Sequence, residues 1–259
     1  MSAITGSTHQ RRVLLLGGTA EARALAALLA DQPAIAVVSS LAGRVVDPRL
    51  PVGEVRIGGF GGAAGLTRWL SEHHIDAVVD ATHPYAARMR AAAVEAATTA
   101  GVAHLRLERP GWTAQQGDRW HRVPDVDSAV RMLPALGRRV LLTTGRQSLA
   151  AFLPLSGLWI LARVVDAPAE PVPAHVQLLR SRGPYNVAGE LELMRSHRID
   201  VLVTKDSGGP LTEAKLAAAR YLGLPVLMID RPAPLASSMM VTTVEEAMRW
   251  LSGLPAQPG

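Results

Sequence analysis

Short runs of Val, Leu, Ile and Ala, bounded by Gly, Asp or Pro, alternate along the chain with longer amphipathic stretches. Such runs predict strands buried on both faces of a parallel sheet, and the stretches between them predict the helices of βαβ crossovers. In the first half the pattern predicts strands at residues 13–16, 35–39, 55–57, 77–80 and 104–107, and helices at 20–30, 66–73 and 86–100. In the second half it predicts strands at 140–143, 159–164, 176–179, 201–204 and 226–229, with helices near 147–152, 187–197, 212–222 and 244–251.

The two halves repeat one another. Arg11-Arg12-Val13-Leu14-Leu15 returns as Arg138-Arg139-Val140-Leu141-Leu142, and His73-His74-Ile75-Asp76 returns as His197-Arg198-Ile199-Asp200. Leu107-Glu108-Arg109-Pro110 is echoed by Ile229-Asp230-Arg231-Pro232, and Val123 to Ala129 by Val241 to Ala247. Ordered matches of this kind point to two similar supersecondary units. The expected fold class is therefore α/β, with two Rossmann-like parallel-sheet halves from an internal duplication and a cleft between them. Pro134 and Gly137 place the seam so that residues 1–136 form an N-terminal domain and 137–259 a C-terminal one.

Composition narrows the class. Of 259 residues, 48% are hydrophobic and 19% charged, which suits a filled globular core. No cysteine is present, so disulfides and thiolate metal sites are excluded and a cytoplasmic location is expected. No apolar run approaches the ~20 residues of a membrane span, and the polar first dozen residues read as a frayed tail. The net charge of +5 is carried by arginine, for only Lys205 and Lys215 are lysines. The arginines are scattered rather than striped, which argues against nucleic acid and fits either a small polyanionic ligand or a coding bias. The histidines are dispersed, so no metal is expected.

Ligands of open parallel sheets bind beyond the carboxyl ends of the strands. Gly17-Gly18-Thr19-Ala20-Glu21 follows the first strand and opens a helix, as a pyrophosphate-binding turn does. It lacks the full GxGxxG spacing, and Thr19 as helix cap with Glu21 in the first turn is the plain alternative. Ser39 and Ser40 with Arg44 follow the second strand where an NAD site would carry an acid, which favours NADPH. Gly59 lies in a glycine run that permits either close ligand contact or a flexible loop. Thr82 and His83, with Tyr85, end the fourth strand; Thr82 and Pro84 also suit an ordinary helix start, whereas the rings of His83 and Tyr85 can donate or stack. In the second half the matching edges read Thr144-Gly145-Arg146 and Lys205-Asp206-Ser207-Gly208, with Arg182 and Tyr185 after the third strand. Cations and hydroxyls there replace the phosphate-loop character of the first half. The first half is thus expected to hold NADPH and the second an anionic substrate.

Taken together, Gly17-Gly18-Thr19-Ala20-Glu21-Ala22, Ser39-Ser40-Leu41-Ala42-Gly43-Arg44, Asp80-Ala81-Thr82-His83-Pro84-Tyr85-Ala86, Thr144-Gly145-Arg146 and Thr204-Lys205-Asp206-Ser207-Gly208 resemble the precorrin-6A reductase family of corrin-ring biosynthesis. The resemblance spans nearly the whole chain. It implies NADPH-dependent reduction of one ring double bond of a tetrapyrrole carrying many carboxylates, which arginine matches well. Under it, Lys205, Ser207 and Tyr85 become the candidate catalytic residues. Thr144, Gly145, Arg146, Arg182, Tyr185, Asp206 and Gly208 become the candidate substrate-binding ones, with solvent or a substrate carboxylate as further candidate proton donors. A monomer without nucleic-acid or membrane partners is expected. Two other readings remain: an NADP-linked reductase of another small anionic metabolite, and a non-catalytic nucleotide-binding protein. The first is weakened because Met89, Gly189 and Pro225, not lysine, stand four residues after the three tyrosines.

Overall fold

The computed structural model of the chain describes residues 10–43, 48–235 and 239–255. It contains two six-stranded sheets, each paired in parallel throughout. The first sheet takes its strands from β1 (Arg11–Leu16), β2 (Ile35–Leu41), β3 (Glu54–Ile57), β4 (Ala77–Asp80) and β5 (Ala103–Leu107). The second takes β6 (Arg119–Val123), β7 (Arg139–Leu142), β8 (Trp159–Val164), β9 (Val176–Arg180), β10 (Val201–Lys205) and β11 (Pro225–Ile229). A last strand, β12 (Met239–Val241), returns to the first sheet. The helices between them are α1 (Ala20–Ala30), α2 (Gly62–Glu72), α3 (Ala87–Ala100), α4 (Val126–Met132), α5 (Arg146–Phe152), α6 (Val187–Ser196), α7 (Ala214–Tyr221) and α8 (Val244–Gly253). No helix among the described residues is long and apolar enough to cross a membrane.

Strand order is β12-β5-β4-β1-β2-β3 in the first sheet and β6-β11-β10-β7-β8-β9 in the second. Both are the doubly wound Rossmann order, with the winding direction reversing between β1 and β4 and between β7 and β10. The central strands are apolar on both faces: Val13, Leu14, Leu15 and Leu16 are all buried, as are Val201, Leu202 and Val203. That double burial is why they read as continuous apolar runs rather than as alternating ones.

The duplication extends to individual hydrogen bonds. Asp76 accepts from the Arg12 backbone N–H at 2.7 Å, and its counterpart Asp200 accepts from Arg139 at 2.9 Å and from Arg138 at 3.0 Å. Just before each aspartate the helix ends on a left-handed residue, His74 (φ 48°) or Arg198 (φ 51°). Each carboxylate therefore ties the start of a central strand to the turn entering its neighbour. Asp125 and Thr243, also repeat partners, each cap a helix through the side chain, Thr243 in a full capping box with Glu246.

The compact units do not follow the expected seam. One comprises the chain up to Arg109 together with the stretch from Ala233 onward; the other is Pro110–Pro232. Each repeat sends its last strand and helix into the other unit. β6 pairs with β11 while α4 contacts β6, β11 and α5; β12 pairs with β5 while α8 packs on α1. Gly137 therefore marks no boundary. It is needed because a Cβ there would run into the Asp200 carboxylate. The exchanged strands escaped the hydropathy pattern because they are edges: Arg-Trp-His-Arg-Val and Met-Met-Val expose most of their side chains.

Asp200→Ala leaves the Arg138 and Arg139 N–H groups without their acceptor. We expect a loss of about 1–3 kcal/mol in unfolding free energy, read by denaturant titration.

Candidate active site

In each unit the described candidates lie toward the carboxyl ends of the strands, those after β1, β4, β7 and β10 beside the reversal of winding and Gly59, Arg182 and Tyr185 beyond the outer strands β3 and β9. In the first unit Gly18 adopts φ 107°, and a Cβ there would meet nothing within 4 Å. Thr19 is the N-cap of α1: its hydroxyl accepts from Ala22 N at 3.1 Å and donates to the Ala81 carbonyl at 2.8 Å. Its side chain thus ties the β1–α1 turn to the end of β4. Glu21 pairs with Arg109 at 2.7 Å. A shallow surface recess lies among Thr19, Glu21, Thr82, Pro84, Leu107 and Arg109.

Beneath the recess is a buried ionic array. Asp80 Oδ1 accepts from Thr82 N at 3.0 Å and from Thr82 Oγ1 at 2.7 Å, and meets Arg106 at 2.9 Å. Arg106 also grips Glu108 at 2.6 Å, and Arg90 approaches Glu108 at 3.8 Å. Thr82 is therefore held inward by Asp80 and does not cap α3, whose N-cap is Ala86. His83 is exposed and Tyr85 half-buried, their rings 5.7 Å apart.

Ser39 and Ser40 do not act as a pair. Strand alternation points them to opposite faces of β2. Ser39 is 1% exposed and its hydroxyl has no partner among the described residues, whereas Ser40 Oγ accepts from Arg56 at 3.0 Å. Arg44 lies outside the described residues. Gly59 offers its carbonyl to Arg56 at 3.1 Å.

In the second unit Thr144 is buried, its hydroxyl without a partner among the described residues, Gly145 is the N-cap of α5 (φ 78°), and Arg146 begins that helix exposed, donating to Ala167 O at 3.4 Å. Lys205 ends β10, half-buried, and burial holds its ammonium below the usual lysine value. Ser207 follows it, half-buried, its N–H on the Lys205 carbonyl at 2.7 Å. Arg182 is exposed, and the Tyr185 ring lies 4.2 Å from the guanidinium of Arg163.

Two residues expected to meet substrate face inward instead. Asp206 is 5% exposed; it accepts from Trp112 N at 2.9 Å and pairs with Arg122 at 2.9 Å. Gly208, at φ 66°, passes so close to Pro110 O and Arg231 that a Cβ has no room. Both shape the loop that presents Lys205 and Ser207.

The pattern of strands and glycines did not single out Arg56, Arg163 or Lys215. Arg163 forms a two-point pair with Glu190, at 2.9 and 3.0 Å. Lys215 is buried, donates to Thr212 O at 2.6 Å and sits 4.5 Å from the Trp112 ring. Burial and Arg163 lower its pKa to about 7 against the opposing pull of Glu190 and Glu213. The scarcity of lysine was the one available signal, and it applied to Lys215 as much as to Lys205.

A family model described as precorrin-6x reductase CbiJ/CobK matches residues 12–252. The chain belongs to that family. It is 54% identical to a precorrin-6A reductase of Rhodococcus erythropolis over 94% of this chain and 98% of the relative. It is 50% identical to a precorrin-6A reductase of Mycobacterium tuberculosis over 95% of this chain and 99% of the relative. A solved structure of CobK precorrin-6A reductase superposes with a TM-score of 0.88 at 47% identity, covering 93% of this chain and 96% of that one. For this precorrin-6x reductase family member, the carboxyl edges of the two sheets are the places to seek reductase chemistry.

Lys215 carries a pH signature. Its pKa is 10.5 unperturbed and about 7 in the fold. Between those values the unfolded chain binds a proton that the native one has released, so this residue's contribution to stability rises with pH. The stability of Lys215→Met relative to the unaltered chain should therefore fall across that window, by up to about 1.4 kcal/mol per pH unit, in denaturant titrations at several pH values. Gly208→Ala should lower the thermal midpoint and release the loop after β10, read as faster amide exchange at Ser207.

Proposed function

We propose that the chain reduces precorrin-6A, in cobalamin biosynthesis, with NADPH as the electron donor. The carrying observation is the pair of divergent switch points: a glycine turn opening α1 in one unit, and cations with hydroxyls at the matching edge of the other.

The residues of the first unit suit a dinucleotide. The open space over Gly18 leaves room for a pyrophosphate at the helix N-terminus. Arg109 offsets the negative charge that Glu21 would otherwise place beside it. Gly17, Gly18 and Thr19 would hold the pyrophosphate, Ser39, Ser40, Arg44 and Gly59 the adenosine end, and Thr82 and His83 the approach to the nicotinamide. When bound, NADPH supplies the hydride that, together with a proton, saturates one ring double bond. The residues of the second unit suit a carboxylate-rich ring. Arg146, Arg182 and Lys205 bind its acetate and propionate groups, with Thr144 and Gly145 beside them and Tyr185 offering a ring face. Ser207 or Tyr85 lies near the reacting carbons, and the proton comes from one of these hydroxyls, solvent or a substrate carboxylate.

Purified protein mixed with precorrin-6A should oxidise NADPH far faster than NADH, followed by loss of reduced-nicotinamide absorbance. No oxidation with any tetrapyrrole would remove the assignment and favour a nucleotide-binding role without catalysis. In the same assay Lys205→Ala should lower kcat/KM about tenfold or more, mainly through KM if it binds a substrate carboxylate.

A further inference from the structure

Among the ion-paired arginines of the described residues, Arg106, Arg109, Arg122, Arg163 and Arg220 each meet a carboxylate. Arg56 is held differently. It lies in β3, in register with Ser40 of β2. Its guanidinium donates to Ser40 Oγ at 3.0 Å, Gly58 O at 3.0 Å and Gly59 O at 3.1 Å, all of them neutral oxygens. It lies 3.8 Å from the centre of the Phe60 ring, and Phe60 meets Trp69 edge-on at 5.5 Å. No carboxylate among the described residues comes within ion-pair distance of it. Burial lowers its affinity for its own proton, and no carboxylate among the described residues opposes the effect.

A partly desolvated cation that meets no carboxylate among the described residues is favoured when a ligand brings negative charge to it. The loop carbonyls and the aromatic face hold this one rigid, so it is oriented before any ligand arrives. A guanidinium has five N–H groups, and the three bonds above leave two of them for a further acceptor. Its position matters as well. In this winding, the ribose of a dinucleotide whose pyrophosphate sits on the β1–α1 turn falls beyond the carboxyl end of β2, where Ser40 and Arg56 stand.

We propose that Arg56 is the specificity-determining residue for the coenzyme, binding the 2′-phosphate that distinguishes NADPH from NADH. The inference rests on the dinucleotide reading above and moves the discriminating cation from the loop after β2 to β3. Staggered on Phe60 and fixed by Ser40, the side chain presents its fork to a dianionic phosphate. A ribose hydroxyl in the same place would gain far less from it.

The test measures the Kd of NADPH and of NADH for the unaltered protein, Arg56→Gln and Arg56→Lys by nicotinamide fluorescence, with thermal midpoints alongside. Adenosine 2′,5′-bisphosphate and 5′-AMP serve as competing probes. We expect Arg56→Gln to weaken NADPH about 10- to 100-fold while leaving NADH unchanged, with Arg56→Lys intermediate. The bisphosphate should lose its advantage over 5′-AMP in step. If the unaltered protein prefers NADPH and Arg56→Gln keeps that preference, or weakens both coenzymes equally, Arg56 is only a staple of the loop and this inference alone falls. If the unaltered protein does not prefer NADPH, the coenzyme reading falls and this inference with it. Should Arg56→Gln not fold, Arg56→Lys and the two competing probes on the unaltered protein decide the matter on the same criteria.

Discussion

A sheet whose strands all run in one direction forces every connection to return across its face, and so gathers all strand carboxyl ends along one edge. Everything else in this molecule follows from that constraint. Most return segments are helices, because a helix satisfies its own backbone while covering an apolar face; among the described residues only β2–β3 and β8–β9, at the outer end of each sheet, are joined without one. The carboxyl edge collects the loops, and the reversal of winding between β1 and β4, and again between β7 and β10, parts the helices there to leave a crevice. Chemistry is placed at these points by topology before any particular side chain is considered.

The duplicated frame then diverges only where the constraint permits. The aspartate tethers from Asp76 to Arg12 and from Asp200 to Arg139 sit at the amino ends of the central strands, and they are the same in both units. At the carboxyl ends the units part company. The first keeps a glycine turn whose threonine is bonded across to β4. The second puts Arg146 and Lys205 at the corresponding points. Buried charge is arranged differently in the two: the first unit sets Arg90 and Arg106 against Asp80 and Glu108, whereas in the second Glu190 pairs with Arg163 and also draws on the charge of Lys215. Burial, helped by the nearby Arg163, outweighs the pull of Glu190 and Glu213 and brings the Lys215 pKa to about 7.

Hydropathy runs located the interior strands to within a residue or two, because strands buried on both faces leave an unbroken apolar signal. It failed at β6 and β12, which are polar or exposed edge strands, and with them it missed the exchange of terminal elements between the units. Proline and glycine at residues 134 and 137 looked like a boundary. The glycine answers instead to the Asp200 carboxylate, a contact between residues far apart in sequence that no local rule registers. The candidate site was legible as a set of strand ends, since topology alone identifies those. Which side chains turn inward was not. Asp206 looks like a ligand contact in the motif, yet its carboxylate is taken up by Trp112 and Arg122 inside its own unit.

The proposed coenzyme contact at Arg56 rests on the same geometry. A motif read along the chain associates Arg44 with Ser39 and Ser40 because they are adjacent in sequence. A parallel sheet makes different neighbours: Ser40 stands beside Arg56, sixteen residues on, across the β2–β3 ladder. Adjacent residues of a strand face opposite sides, so sequence proximity separates Ser39 from Ser40, while pairing brings Arg56 to one of them. Recognition at a sheet edge is assembled across strands. A motif confined to one loop can therefore name a place and still leave out a side chain that strand pairing brings to the same edge.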